Sequence, residues 1–190
     1  MNAKNNSENY VSRAEGKLAG AVRAFSYDFR NKTVLDIGSS TGGFTELALK
    51  LGAKKVIAVE KGTRQMKAPL RFDTRIELHE KTDFFDFEPQ KVETILADVS
   101  FVSLKKILTK ARQFATLRTD FLVMLKPQFE ALESQMTKGV VKNEKVRREI
   151  VKNFEIWLKM NGFLILKKRD NDFRGKNGNL ERFYWLKIAK

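Results

Sequence analysis

The residues of this chain best placed for chemistry are acids and lysines at the ends of apolar runs, together with one cluster of small residues. In Thr33–Thr45 (TVLDIGSSTGGFT) a short apolar run carries Asp36 at its end. It then enters a loop of Gly38, Ser39, Ser40, Thr41, Gly42, Gly43 and Phe44. Other apolar runs end on Glu60 (KVIAVE), Asp98 (ETILAD) and Lys126 (DFLVMLK), and a last one starts from Glu181 (ERFYWLKI). Glycine lets a backbone adopt φ > 0 and approach a ligand with no Cβ in the way. A short strand, a tight turn and a helix start together describe the ligand end of a βαβ unit.

Spacing separates the ligands that such a loop could hold. A dinucleotide fingerprint needs G-x-G-x-x-G, and Ser40 stands where the second glycine belongs. A nucleotide-phosphate loop needs lysine at the position of Phe44, and without that charge the phosphates lose their main anchor. The pattern D-x-G-x-x-x-G of S-adenosylmethionine-dependent methyltransferases is satisfied by Asp36, Gly38 and Gly42. That ligand is a cation with no phosphates, so an acidic strand end suits it. Glu60, at the end of the next strand, is placed to accept hydrogen bonds from the two hydroxyls of an adenosine ribose. Asp83, among the aromatics of KTDFFDF, is read as a strand-end acid that could meet an adenine amino group.

Composition narrows the partners. The 190 residues suit one domain, carry a formal net charge of +14 and include no cysteine and one histidine, His79. Disulfides, thiolate metal sites and cysteine nucleophiles are excluded, and no metal site is expected. The positive charge predicts attraction to a polyanion, either nucleic acid or an anionic membrane surface. No run approaches the roughly 20 apolar residues that span a bilayer, and the polar start MNAKNNSENY lacks the apolar core of a signal peptide. A cytoplasmic protein is expected, with residues 1–9 a polar leader and 10–190 one domain.

The elements that position these residues follow from periodicity. Ser12 and Glu15 form a capping box for a helix over about 13–25, whose apolar face is Leu18, Ala21, Val22 and Phe25. Lys17 falls beside that stripe, undistinguished. A helix after the glycine loop stops at Gly52. Strands follow at 55–60 and 76–79, then at 93–98 and 120–125, with a helix over 103–114 between the last two. Pro127 ends the fifth strand. Residues 128–143 read as a loop-rich insertion, 144–161 as an amphipathic helix, and the last two runs as strands joined by the basic loop DNDFRGKNGNL. Strands alternating with helices predict an α/β fold: a doubly wound, mostly parallel sheet whose last strand is antiparallel.

Ligands of such sheets bind outside the carboxyl ends of the parallel strands. Asp36, Glu60, Asp98 and Lys126 should gather there, and an antiparallel last strand brings Glu181 to the same rim. Five polar groups are therefore expected to line one cleft. A lysine at a buried strand end beside Asp98 can take or steer a proton from a hydroxyl nucleophile, or can simply form an ion pair.

Six stretches in order, YVSRAEGKLAGA, LDIGSSTGGFTELAL, DVSFVSL, LKPQFE, KGVVK and GKNGNLERF, resemble the TlyA or "hemolysin A" family of FtsJ-like ribosomal RNA ribose 2'-O-methyltransferases. The resemblance runs from Tyr10 to the C-terminus and implies a Rossmann-like class I methyltransferase with a seven-stranded sheet. It implies S-adenosylmethionine as cofactor, held by Asp36, the 38–44 loop, Glu60, Asp83 and Asp98. It also implies a catalytic tetrad of Lys17, Asp98, Lys126 and Glu181, and ribosomal RNA or ribosomal subunits as partners. Arg13, Arg169, Arg174, Lys176 and the basic side of the 144–161 helix are expected to meet phosphates. Family members carry an N-terminal S4-like RNA-binding domain, which would end where this chain begins, and Glu60 stands where many have aspartate. A non-catalytic RNA-binding or ribosome-assembly module is the alternative expectation. A membrane-active hemolysin has no sequence support.

Overall fold

The computed structural model describes residues 13–172, 174, 175 and 177–189. The polar leader, Ser12 of the expected capping box and Lys176 lie outside the described residues. Helix α1 (Arg13–Phe25) precedes β1 (Thr33–Ile37), and α2 (Gly43–Lys50) connects β1 to β2 (Lys55–Val59). Then come β3 (Ile76–His79), β4 (Thr94–Ala97), α3 (Leu104–Ala111), β5 (Asp120–Leu125), α4 (Glu144–Met160), β6 (Phe163–Asp170) and β7 (Arg182–Ile188). The described strands form one sheet in the order β3-β2-β1-β4-β5-β7-β6. β7 is antiparallel to both neighbours, and the other pairings are parallel.

Side chains that alternate along a strand feed opposite faces of the sheet. Along β5, Phe121, Val123 and Leu125 enter one core with α3 and α4, while Leu122 and Met124 enter the other with α1 and α2. Both faces are covered, so the central strands read as continuous apolar runs rather than as a polar–apolar alternation. The expected stripe of α1 is the buried one: Leu18, Ala21, Val22 and Phe25 are each less than a tenth exposed. Gly52 (φ 93) and Gly162 (φ 69) supply the left-handed residues that end α2 and α4.

Two details depart from the sequence reading. β3 ends at His79, and Asp83 lies four residues further on, in a turn rather than at a strand end. No strand forms over 82–87, because Asp83 Oδ1 accepts the Phe85 N–H at 3.0 Å and Phe84 turns inward to pack on Phe114. On α4, Arg147 is buried among the apolar positions. Its guanidinium is met by Glu144 on its own helix and by Asp170 at the end of β6.

Candidate active site

Register places the site. Ile37 is paired with Val59 on one side and Ala97 on the other, so Gly38, Glu60 and Asp98 leave the sheet at one level. Leu125 is paired with Arg182, so Lys126 and Glu181 leave β5 and β7 as the next residues on adjacent strands. A cleft of about 800 Å³ opens at this rim, a size suited to a small-molecule ligand. Gly38, Ser39, Ser40, Thr41, Gly43, Phe44, Glu60, Asp83, Asp98, Phe101 and Lys126 are among the residues that line it.

The 38–44 loop is shaped by backbone geometry. Gly38 takes φ 78 and packs so closely on the β4 exit that a Cβ would sit 3.3 Å from Val99 Cγ1. Gly42 takes φ 93 at the start of α2, where a Cβ would stand 2.3 Å from Leu70 Cδ2. Both positions take a left-handed conformation that favours glycine, and a side chain there would also crowd its neighbours. Glu60 braces the loop: Oε2 accepts the Ser40 N–H at 2.9 Å and Oε1 accepts the Gly62 N–H at 2.6 Å.

Asp36 departs from the expectation that five polar groups line the cleft. It is 1% exposed and lies beneath the loop, with Oδ2 accepting the Thr45 hydroxyl at 2.6 Å. Its Oδ1 is buried and has no hydrogen-bond partner among the described residues. Burial pushes its pKa up to about 7, and the Asp98 and Glu60 charges add to the rise. A carboxylate in that position is poised for a cation above it, since an opposite charge restores the ionised form.

Lys126 and Asp98 form one ion pair at the rim, with Nζ 2.6 Å from Oδ1, and the same Nζ donates to Ser100 Oγ at 3.0 Å. Lys17 and Glu181 form a second pair at 2.5 Å, with side chains 12% and 3% exposed. The four residues expected as a tetrad thus form two ion pairs, one on the cleft wall and one set back beside it. Ala14, one turn before Lys17, is itself on the cleft wall. Lys17 shows why its helix stripe left it undistinguished, for its partner lies 164 residues away. Gly175 closes over this second pair, where a Cβ would come 2.6 Å from Glu181 Oε1.

Asp83 also reaches the cleft, but its carboxylate pairs with Lys61 at 2.8 Å, and that hydrogen bond holds its pKa below the usual range. Arg169 does not suit the phosphate role expected for it. Its Nη1 donates to Gly20 O at 2.8 Å, its Nε to Asp170 O, and its Nη2 to Asp172, so all three nitrogens tie β6 to α1 and the following loop. Arg174 is exposed, with Nη1 donating to Gly178 O. Arg13 opens α1.

Residues outside the sequence expectation complete the rim. Phe101 is 93% exposed at φ 64, beside Ser100, and its ring lies 5.4 Å from that of Phe129. Glu130 binds the Ser103 hydroxyl at 2.8 Å and the Leu104 N–H at 2.6 Å, joining the turn after Lys126 to the start of α3. Only their presence in DVSF and PQFE could have pointed to them, since neither periodicity nor charge marks them.

The geometry agrees with what comparison finds. The model of the FtsJ-like methyltransferase family matches residues 10–188. The chain is 37% identical over 182 residues to the 23S rRNA (cytidine-2'-O)-methyltransferase TlyA of Campylobacter jejuni, covering 94% of this chain and 71% of that protein. It is 37% identical over 187 residues to YqxC of Bacillus subtilis, a candidate rRNA methyltransferase, covering 95% of this chain and 66% of that one. The chain therefore spans about two thirds of the length of these relatives. Among solved structures, a candidate hemolysin from Streptococcus thermophilus superposes with a TM-score of 0.93 at 31% identity, over 98% of this chain and 70% of its own. No helix among the described residues is long and apolar enough to cross a membrane. With sequence likeness extending from residue 10 to the last residue of β7, the chain belongs to the FtsJ-like methyltransferase family.

Proposed function

We propose that this protein is an S-adenosylmethionine-dependent methyltransferase acting on a ribose 2'-hydroxyl of ribosomal RNA in the cytoplasm, with residues 10–190 as its catalytic domain. The observation that carries this reading is the Lys126–Asp98 pair, with Nζ 2.6 Å from Oδ1, on the wall of a cleft that three carboxylates surround. The names of the relatives agree with it. The residues fit the cofactor: Asp36 brings an unpartnered buried oxygen under the loop, and Gly38 and Gly42 give the loop its left-handed turns. Gly38, Ser39, Ser40, Thr41, Gly42, Gly43 and Phe44 would form the cradle, with Glu60 accepting from ribose hydroxyls and Asp83 at the far wall.

When bound, the cofactor supplies a methyl group on a positively charged sulfur. Lys126 steers the attacking hydroxyl and stabilises the negative charge that grows on its oxygen as the proton leaves. Asp98 orients that ammonium and offers an acceptor for the proton. Lys17 and Glu181 hold the target ribose, so positioning carries much of the rate enhancement. Incubation with labelled cofactor and unmethylated ribosomal RNA or subunits should place label on a ribose. Cofactor binding with no transfer, even with an N-terminal RNA-binding domain from a relative supplied, would favour a non-catalytic binding module instead.

Phe101 extends the reading to the base. A ring 93% exposed beside the catalytic lysine costs solubility and gains nothing in the folded core. It offers a stacking face for the nucleotide being methylated. Stacking on an aromatic residue contributes about 1–3 kcal/mol per base. Phe101→Ala should therefore lower kcat/KM for RNA by roughly 5- to 150-fold. Cofactor affinity, measured by calorimetry, should stay within about twofold; a parallel loss of both would show a structural effect of the ring.

A further inference from the structure

Two stretches to which the catalytic reading assigns no chemistry are KGVVK (138–142) and the loop that precedes Glu181. The structure fastens them together through one side chain. Asn179 is 2% exposed, its Oδ1 accepts the Val141 N–H at 3.0 Å, and its Nδ2 donates to Gly139 O at 3.1 Å. Its own carbonyl accepts the Gly175 N–H at 2.8 Å. A buried amide whose donor and acceptor are both met by another loop's backbone fixes the two loops in one relative position. Glu181, two residues further on, shares that frame.

The outer surface of the clasped loops is basic. Lys138, Lys142, Lys145 and Arg174 are exposed, and none of the four has an ion pair among the described residues. Two neighbouring acids are already engaged, Glu144 by Arg147 and Arg148, and Asp172 by Arg169. The loop tips are open as well, since a Cβ at Gly139 or Gly178 would meet nothing within 4 Å. Lys145 sits in the first turn of a 17-residue helix, where positive charge opposes the helix dipole, so its position does not serve helix stability. Four uncompensated cations on rigidly joined loops match the regularly spaced negative charge of a nucleic-acid backbone.

We propose that Lys138, Lys142, Lys145 and Arg174, on and next to the two loops that Asn179 clasps, form one phosphate-binding platform for the RNA strand flanking the target nucleotide, held in register with Glu181. This assignment rests on the RNA substrate proposed above. It moves the backbone contact away from Arg169, each of whose nitrogens donates inside the fold, and onto cations that have no ion pair among the described residues.

The test is a salt titration of binding to an in vitro transcribed ribosomal RNA, comparing the intact chain with a Lys138→Gln/Lys142→Gln variant. Both lysines are exposed and outside regular elements, so the variant should fold. Each lost phosphate contact should reduce the slope of log K against log salt by about 0.7 to 0.9, so the pair should reduce it by about 1.4 to 1.8. Cofactor affinity of the variant should be unchanged. Asn179→Ala should lower kcat for methyl transfer at saturating cofactor, while the double lysine variant should mainly raise KM for RNA. An unchanged salt slope in the double variant, with the intact chain binding RNA, would overturn the platform and leave the RNA reading standing. No salt-dependent RNA binding by the intact chain would overturn both. Loss of binding to phosphatidylglycerol vesicles with RNA binding unaltered would reassign the surface to a membrane.

Discussion

Lys126→Ala is expected to reduce methyl transfer about 10²- to 10⁴-fold, the range typical of removing a group that moves or stabilises a proton in the transition state. Cofactor binding should persist, because the loop, Glu60 and Asp36 are untouched by the change. The physical reason is the geometry at the rim, where Nζ stands 2.6 Å from Asp98 Oδ1 and 3.0 Å from Ser100 Oγ. Deleting the ammonium leaves Asp98 with a charge that nothing nearby offsets. It also removes the only cation among the described residues that line the cleft beside that carboxylate, apart from Lys61, which pairs with Asp83. Lys126→Arg is a useful companion. It keeps the charge but replaces a compact point charge with a broad planar fork, so recovery should be slight. Single-turnover transfer with calorimetric cofactor binding decides the matter, and full activity in Lys126→Ala would remove the lysine from the mechanism.

Asp36→Asn should have opposite effects on stability and on cofactor affinity. In the unfolded chain the Asp36 carboxyl titrates near pH 4, whereas in the folded protein its pKa is pushed up to about 7. Between those values the folded state holds a proton that the unfolded chain has released, so this group's contribution to stability falls as pH rises from about 4 to about 7. Above pH 7 the cost is complete, on the order of 2–4 kcal/mol for a shift of this size. Asparagine carries no charge to desolvate. Without cofactor, the variant should melt higher than the parent at pH 8, by roughly 4–16 °C for a chain of this length. The difference should shrink towards pH 5. Cofactor affinity should move the other way, falling about 10-fold or more, because the buried charge that favours a cation is gone. In the parent, affinity should rise with pH through 7. A variant that melts lower at pH 8 while binding cofactor normally would show that the carboxylate serves the loop alone.

Much of this arrangement was legible from local signals. Strand ends, the glycine loop and the helix stops depend on neighbours a few residues apart, and each carries its own backbone requirement. The apolar stripe of α1 reflects a burial period of 3.6, and the continuous apolar run of β5 reflects a strand covered on both faces. That is why the α/β class, the antiparallel last strand and the gathering of Glu60, Asp98 and Lys126 at one rim could be anticipated.

Residues whose meaning comes from a distant partner were not legible in this way. Lys17 resembles any lysine flanking an apolar stripe until Glu181 closes on it at 2.5 Å. Arg169 reads as a surface cation, yet Gly20, Asp170 and Asp172 take up its donors. Asp83 reads as a strand-end acid, but the inward turn of Phe84 removes the strand. Asn179 carries no charge or periodic signal, and its function as a clasp exists only once two loops meet.

The sequence by itself determined the order of elements, the glycine loop between β1 and α2, and the acids and lysine at strand ends, because these follow from local backbone and burial preferences. Only the tertiary structure decided which groups line the cleft, which lie beneath it and which are spent in internal pairs. Burial and electrostatic pairing depend on contacts between segments up to 164 residues apart, and no local pattern encodes them.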